Sequence, residues 1–161
     1  MIIVVSDTSP IRALAHLDRL DVLSGLFDRV YVPPAVVQEL QSPRGGLPPV
    51  EIDDLAFVEV REPSDRQRVA GLRRALDPGE SEALALALEL GVEAILIDEA
   101  AGRSMARQLG LSPIGVLGLL VRGKQRGLLP RIRPLLDQLQ GELGFFISET
   151  LRAEILRLAD E

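Results

Sequence analysis

The apolar run Ile2-Ile3-Val4-Val5 leads straight into Ser6-Asp7-Thr8-Ser9-Pro10, and the run VEAILID ends in the same way on Asp98. Two further acids, Glu39 in VVQEL and Glu80 in LDPGE, stand beside apolar stretches of helical character. Gathered at one place, such carboxylates repel one another: two bare charges about 4 Å apart cost about 4 kcal/mol at an effective dielectric near 20. Four of them need protons or a counter-charge. A hard divalent cation supplies that charge, and Mg²⁺ or Mn²⁺ accepts carboxylate and water oxygens in octahedral geometry. Phosphodiester cleavage uses the same parts, because metal charge acidifies an attacking water and stabilises the phosphate and its leaving oxygen. Asp7, Glu39, Glu80 and Asp98 are therefore the candidate catalytic and metal-binding residues.

Each acid also has a purely structural use. An aspartate at a strand end makes Asx turns and helix N-caps, which covers Asp7 and Asp98. A capping box explains Glu80, and a solvent-facing helix position explains Glu39. Glu82 and Glu99 are neighbours that could replace or join the four, and both also read as solvated surface. What favours chemistry is convergence. In parallel α/β sheets the ligand crevice lies outside the carboxyl ends of the strands, and Asp7 and Asp98 each end a strand.

The elements that must deliver these residues are legible in the pattern. Residues 2–6 read as a buried strand, followed by a helix that Ser9 caps with Pro10 at its first position. A short helix over 20–27, a strand at RVYVP and a helix opened by Pro33-Pro34 follow. SPRGGLPP reads as a loop and as the most flexible part of the chain. AFVEV near 56–60 is a strand candidate, and a solvated helix comes after it. ALALALEL alternates with period 2, yet both partners are apolar and Ala, Leu and Glu favour helix, so 79–90 is expected to be a buried helix with Asp77 as N-cap. A strand at VEAILID, a helix over 99–109, a strand at LSPIG and helices near 115–126, 131–140 and 148–159 complete the chain. Strands alternating with helices imply an α/β layer structure around a mostly parallel sheet, in a single domain over 1–161.

Composition narrows the chemistry. The 161 residues include no cysteine and one histidine, so any metal must be held mainly by oxygen. Lys124 is the sole lysine, which disfavours Schiff-base and Walker-type chemistry, and no glycine-rich nucleotide-binding motif is present. A net charge of -6 argues against nonspecific coating of nucleic acid, which is driven by phosphate neutralisation, but leaves room for a local basic rim. The lack of a charged leader or a long apolar segment leads us to expect a cytoplasmic protein without a membrane span.

Taken in order, Asp7-Thr8-Ser9, VVQEL, LDPGESEALALALELG and ILIDEAAGRSMARQLGL, with the later IGVLGLL and GFFISETLRAEIL, resemble the PIN-domain family, particularly VapC-like ribonuclease toxins and a less-studied nucleic-acid-binding branch. The resemblance implies a three-layer α/β/α sandwich, a Mg²⁺ or Mn²⁺ site and cleavage of single-stranded RNA. It implies that Asp7 and Asp98 ligate metal directly, that Glu39 and Glu80 are the further acids, and that Thr8 or Ser9 steadies the cluster. Glu80 stands where many relatives carry aspartate, so Glu80 and Glu82 both remain candidates for the third acid. No second aspartate follows Asp98, which leaves the number of metals open. Arg103 matches an arginine of this branch, with an i,i+4 ion pair to Glu99 as its simpler role. An antitoxin protein and a second copy of the chain are the partners the family suggests.

Arg122, Lys124 and Arg126, followed by Arg131 and Arg133, form a basic run that reads either as a solvated face or as a rim holding RNA phosphates beside the acids. Aromatic residues make up 3% of the chain, so base stacking is not expected to dominate recognition. Phe145 and Phe146, with Leu151, Ile155 and Leu158 of the last helix, read as core packing, or as a partner surface if left exposed. Two phosphotransfer folds that also begin with a strand-end aspartate fit poorly. A dehalogenase-like phosphatase needs aspartate where Ser9 stands, and a receiver domain needs a lysine at a late strand end. A PIN fold kept as a binding module with weak or absent cleavage is the alternative of another class.

Overall fold

The computed structural model describes residues 1–161. Five short strands, β1 (Ile3–Ser6), β2 (Arg29–Val32), β3 (Val58–Val60), β4 (Ala94–Leu96) and β5 (Ser112–Ile114), form one all-parallel sheet in the order β3-β2-β1-β4-β5. Nine helices cover it: α1 (Thr8–His16), α2 (Asp21–Leu26), α3 (Pro34–Gln41), α4 (Arg66–Leu72), α5 (Pro78–Leu90), α6 (Ala100–Gln108), α7 (Val116–Gln125), α8 (Arg133–Glu142) and α9 (Glu149–Leu158). The architecture is a three-layer α/β/α sandwich, as the family resemblance implied, around the parallel sheet that the alternating pattern implied.

Period-2 strand geometry divides the core in two. Val4 and Leu96 point into a larger cluster with residues of α1, α2, α3, α7, α8 and α9, while Val5, Ile95 and Ile97 point the other way, onto α4, α5 and α6. Residues 83–87 of α5 have no exposed surface, which explains its all-round apolar sequence. Its start is a full capping box: Asp77 Oδ1 accepts from the Glu80 amide at 2.8 Å, Glu80 Oε1 accepts from the Asp77 amide at 3.3 Å, and Pro78 follows the cap. No helix is long and apolar enough to cross a membrane.

One local expectation changes. α1 starts at Thr8, so Asp7 rather than Ser9 occupies its N-cap position, and no side chain caps it. SPRGGLPP contains a tight turn in which Arg44 and Leu47 exchange backbone hydrogen bonds of 3.3 and 2.9 Å across Gly45-Gly46, both in the left-handed region.

The topology reverses direction at β1. The chain leaves it toward β2 and β3 on one side and later returns to place β4 against its other side, with Ser6 in register with Leu96. A parallel sheet opens a crevice at the carboxyl edge of such a switch point. Asp7 and Asp98 follow the two strands that define it.

Candidate active site

Asp7 is delivered by the last ladder bond of the β1–β4 pair, its amide donating to the Leu96 carbonyl at 2.8 Å. Its backbone is extended as an N-cap requires, yet its carboxylate caps nothing. It is 4% exposed, and Oδ1 has no hydrogen-bond partner. Burial raises its pKa well above the usual carboxylate range, the Thr8 amide opposes this, and the charges of Asp77, Glu80 and Glu39 push it further up. Those charges also identify which acids share its surroundings.

Asp98 lies one residue beyond Ile97, past the end of β4. Its Oδ1 accepts from the Val116 amide at the start of α7 at 2.8 Å, while Oδ2 is buried without a partner. Burial raises its pKa, opposed by the Val116 amide, the Ser9 hydroxyl and the Arg103 charge. Glu80 is 5% exposed; its Oε1 serves the capping box and its Oε2 is buried and unpartnered. Burial is the main cause of a Glu80 pKa pushed up to about 7. Glu39 reaches the site from the last turn of α3. There Thr8 Oγ1 donates to its Oε2, and Arg12 of α1 fixes its backbone by donating from Nη2 to the Glu39 carbonyl.

Three glycines stand directly behind these acids. A Cβ at Gly79 would fall 2.5 Å from Glu39 Oε2, one at Gly102 2.6 Å from Glu80 Oε2, and one at Gly115 2.7 Å from Asp98 Oδ1. Backbone therefore approaches the carboxylates more closely than any side chain would permit.

Asp7, Thr8, Ser9, Glu39, Asp98 and Glu99 line one cavity of about 580 Å³, together with Asp77, Arg12, Arg44 and the 142–146 segment. Asp77 is an acid the sequence reading used only as a helix cap. The signal was present, because N-cap and N3 acids of one helix both project from its first turn.

Other candidates lie elsewhere or act differently. Glu82 is outside the cluster: its Oε1 accepts from the Ala35 amide at 3.0 Å and its Oε2 meets Arg66 at 3.3 Å, so it secures the start of α3. Arg103 does not pair with Glu99. Its Nη1 donates to the Ile97 carbonyl at 3.1 Å, beside Asp98. Arg122, Lys124 and Arg126 form no rim for the acids. They occupy the end of α7, and a ten-residue helix is about 15 Å long. Arg122 and Arg126 line a hollow with Ile2 and Phe27 at the amino edge of the sheet, and Lys124 is held by Glu161 at 3.2 Å and the Ala159 carbonyl at 3.0 Å.

A family model for the PIN domain matches residues 3–161. The chain belongs to the PIN-domain family. Among curated proteins none matches it. The PIN domain is a nuclease-type fold, and its members are generally hydrolases that bind divalent metals and act on nucleic acids. The residues of this PIN domain fit such an ion. Asp7 Oδ1, Glu80 Oε2 and Asp98 Oδ2 are three buried carboxylate oxygens without partners, all hard donors. No three acidic side chains are gathered closely enough to enclose an ion by themselves.

Proposed function

We propose that this PIN domain is a Mg²⁺- or Mn²⁺-dependent endoribonuclease hydrolysing phosphodiester bonds of single-stranded RNA. The observation that carries the reading is the pair of unpartnered, buried carboxylate oxygens on Asp7 and Asp98 at the switch point of the sheet, with an unpartnered Glu80 oxygen close enough for its charge to act on Asp7. Orphaned buried acceptors are costly, and here the fold keeps them where a ligand belongs.

In this reading Asp7 and Asp98 would hold the ion, and Glu80 and Glu39 would accept hydrogen bonds from water beside it. Thr8 fixes the Glu39 carboxylate, and Ser9 and the Val116 amide fix Asp98. The bound ion supplies charge for the phosphoryl oxygens and acidifies the attacking water. Membership of the family extends the reading to the toxin of a cytoplasmic toxin–antitoxin pair, with an antitoxin or a second copy meeting the half-exposed Leu151 and Leu158 of α9.

The test is cleavage of a mixed single-stranded RNA pool with Mg²⁺, Mn²⁺ or EDTA, beside Asp7→Asn and Asp98→Asn. Metal-dependent cutting lost in both variants is expected. Undiminished cutting by either variant removes that residue from the site. The loose spacing of the acids favours a second reading, a PIN fold that binds RNA or protein without turnover; tight RNA binding with no cutting in any metal would support it.

A further inference from the structure

The segment between α8 and α9 lines the acidic cavity, and it displays one large apolar residue that the core does not cover. Phe146 is 90% exposed, whereas its neighbour Phe145 packs against the core and Ile147 is buried. The exposure does not come from a loose loop. The Phe145 amide donates to the Leu139 carbonyl at 3.0 Å and Gln140 Nε2 to the Ile147 carbonyl at 3.2 Å. Arg152 locks Gln140 from α9 at 2.7 Å, and Glu142 reaches His16 of α1 at 2.9 Å. An aromatic ring is therefore held in water beside Asp98 and Glu99, in a chain with four phenylalanines and one tyrosine.

The same cavity carries two cations. Arg12 is 8% exposed with Nη1 lacking any partner, and the Arg44 charge acts directly on it. Arg44 forms no salt bridge and stands at the tight turn over Gly45-Gly46. Arg44 thus brings free donors to the cavity, with the buried Arg12 charge adding to its field, and a guanidinium so placed suits a phosphate. A flat ring suits a nucleobase, whose stacking tolerates any sequence.

We infer that the cavity is a track for one RNA strand, with a base stacked on Phe146 and a backbone phosphate held by Arg44 in the field of Arg12, so that the linkage between them lies over the acids. The inference rests on the nuclease reading for its choice of RNA. It adds one stacking contact to recognition that stacking is not expected to dominate, and it puts the phosphate contacts at the carboxyl edge instead of on α7.

The test measures binding of a fluorescein-labelled ten-nucleotide single-stranded RNA by anisotropy in Ca²⁺, with a series of the same RNA carrying one abasic nucleotide moved along the strand. Phe146→Ala and Phe146→Leu should each weaken binding roughly 5- to 100-fold and Phe146→Trp should restore it. For the wild type one abasic position should be costly, and that cost should vanish in Phe146→Ala. Arg44→Gln should lower the salt slope of log K by about 0.7. Melting temperatures should be unchanged, since Phe146 contributes little to the core. Equal binding by wild type and Phe146→Ala, or by Phe146→Leu and wild type, overturns the stacking platform; a partner protein would then be the better occupant of this ring. If such variants still cleave RNA with Mg²⁺, the platform alone falls. If the abasic pattern appears but no metal supports cleavage, the platform stands and the nuclease reading falls. No RNA binding by the wild type overturns both.

Discussion

Asp7 occupies an N-cap position and declines to cap, and this contrast separates its structural use from a chemical one. Asp7→Asn keeps the shape and removes the charge, so Mg²⁺-dependent cleavage should drop by at least about 100-fold. The metal-free protein should melt at a higher temperature above pH 7, because a buried carboxylate facing Asp77, Glu80 and Glu39 is neutralised. Glu80 gives a pH dependence of definite sign. Its folded pKa of about 7 exceeds the ordinary 4.5, so between these values the folded chain holds a proton that the unfolded chain has released. Stability from this group is complete below about pH 4.5 and is lost as pH rises through 7. Asp7 and Asp98, also raised, act in the same direction. Melting curves in EDTA should therefore fall across this range, Glu80→Gln should flatten the fall, and Mg²⁺ should oppose it most strongly at the alkaline end. The residue types and order of the four main acids were visible in the sequence, since strand ends and helix starts mark them. The roles of Glu82 and Arg103 were not, because which way a helical side chain points depends on the packing partner: Ala35 claims Glu82 and the Ile97 carbonyl claims Arg103.

At the scale of elements, Glu39, Glu80 and Asp98 are each backed by a glycine from another part of the chain. Gly102 of α6 lies against Glu80 of α5, so Gly102→Ala should displace the carboxylate from the site. A stability loss of about 1–3 kcal/mol is expected from the overpacking, and a cleavage loss of about 10- to 100-fold from misplacement. A cleavage rate equal to wild type at full occupancy would show that Glu80 need not sit where it does. Element boundaries followed closely from caps, prolines and periodicity, as α5 shows. What sequence missed was tertiary: which glycines are close approaches, and that Ser9 faces Asp98 instead of capping α1.

For the whole molecule, the decisive asymmetry is between the two edges of the sheet. The conspicuous basic run sits at the amino edge, while the acids, Arg12, Arg44 and Phe146 share the carboxyl edge. Charge reversal by Arg122→Glu with Arg126→Glu should leave RNA affinity within about twofold, whereas Arg44→Glu should weaken it about tenfold or more at low salt. Filter binding at two ionic strengths distinguishes these outcomes. The α/β class and the shared carboxyl edge of the two aspartate-ended strands could be read from alternating patterns, but the strand order that makes a switch point could not, and a cluster of arginines in sequence says nothing about which end of a helix faces the ligand. The central claim is that the orphaned carboxylates form a cation site, and Mn²⁺ soaked into crystals of wild type and Asp7→Asn tests it most directly. The account predicts an anomalous peak touching both Asp7 and Asp98 in the wild type and none in the variant; a peak away from these residues, or none at saturating Mn²⁺, would contradict it.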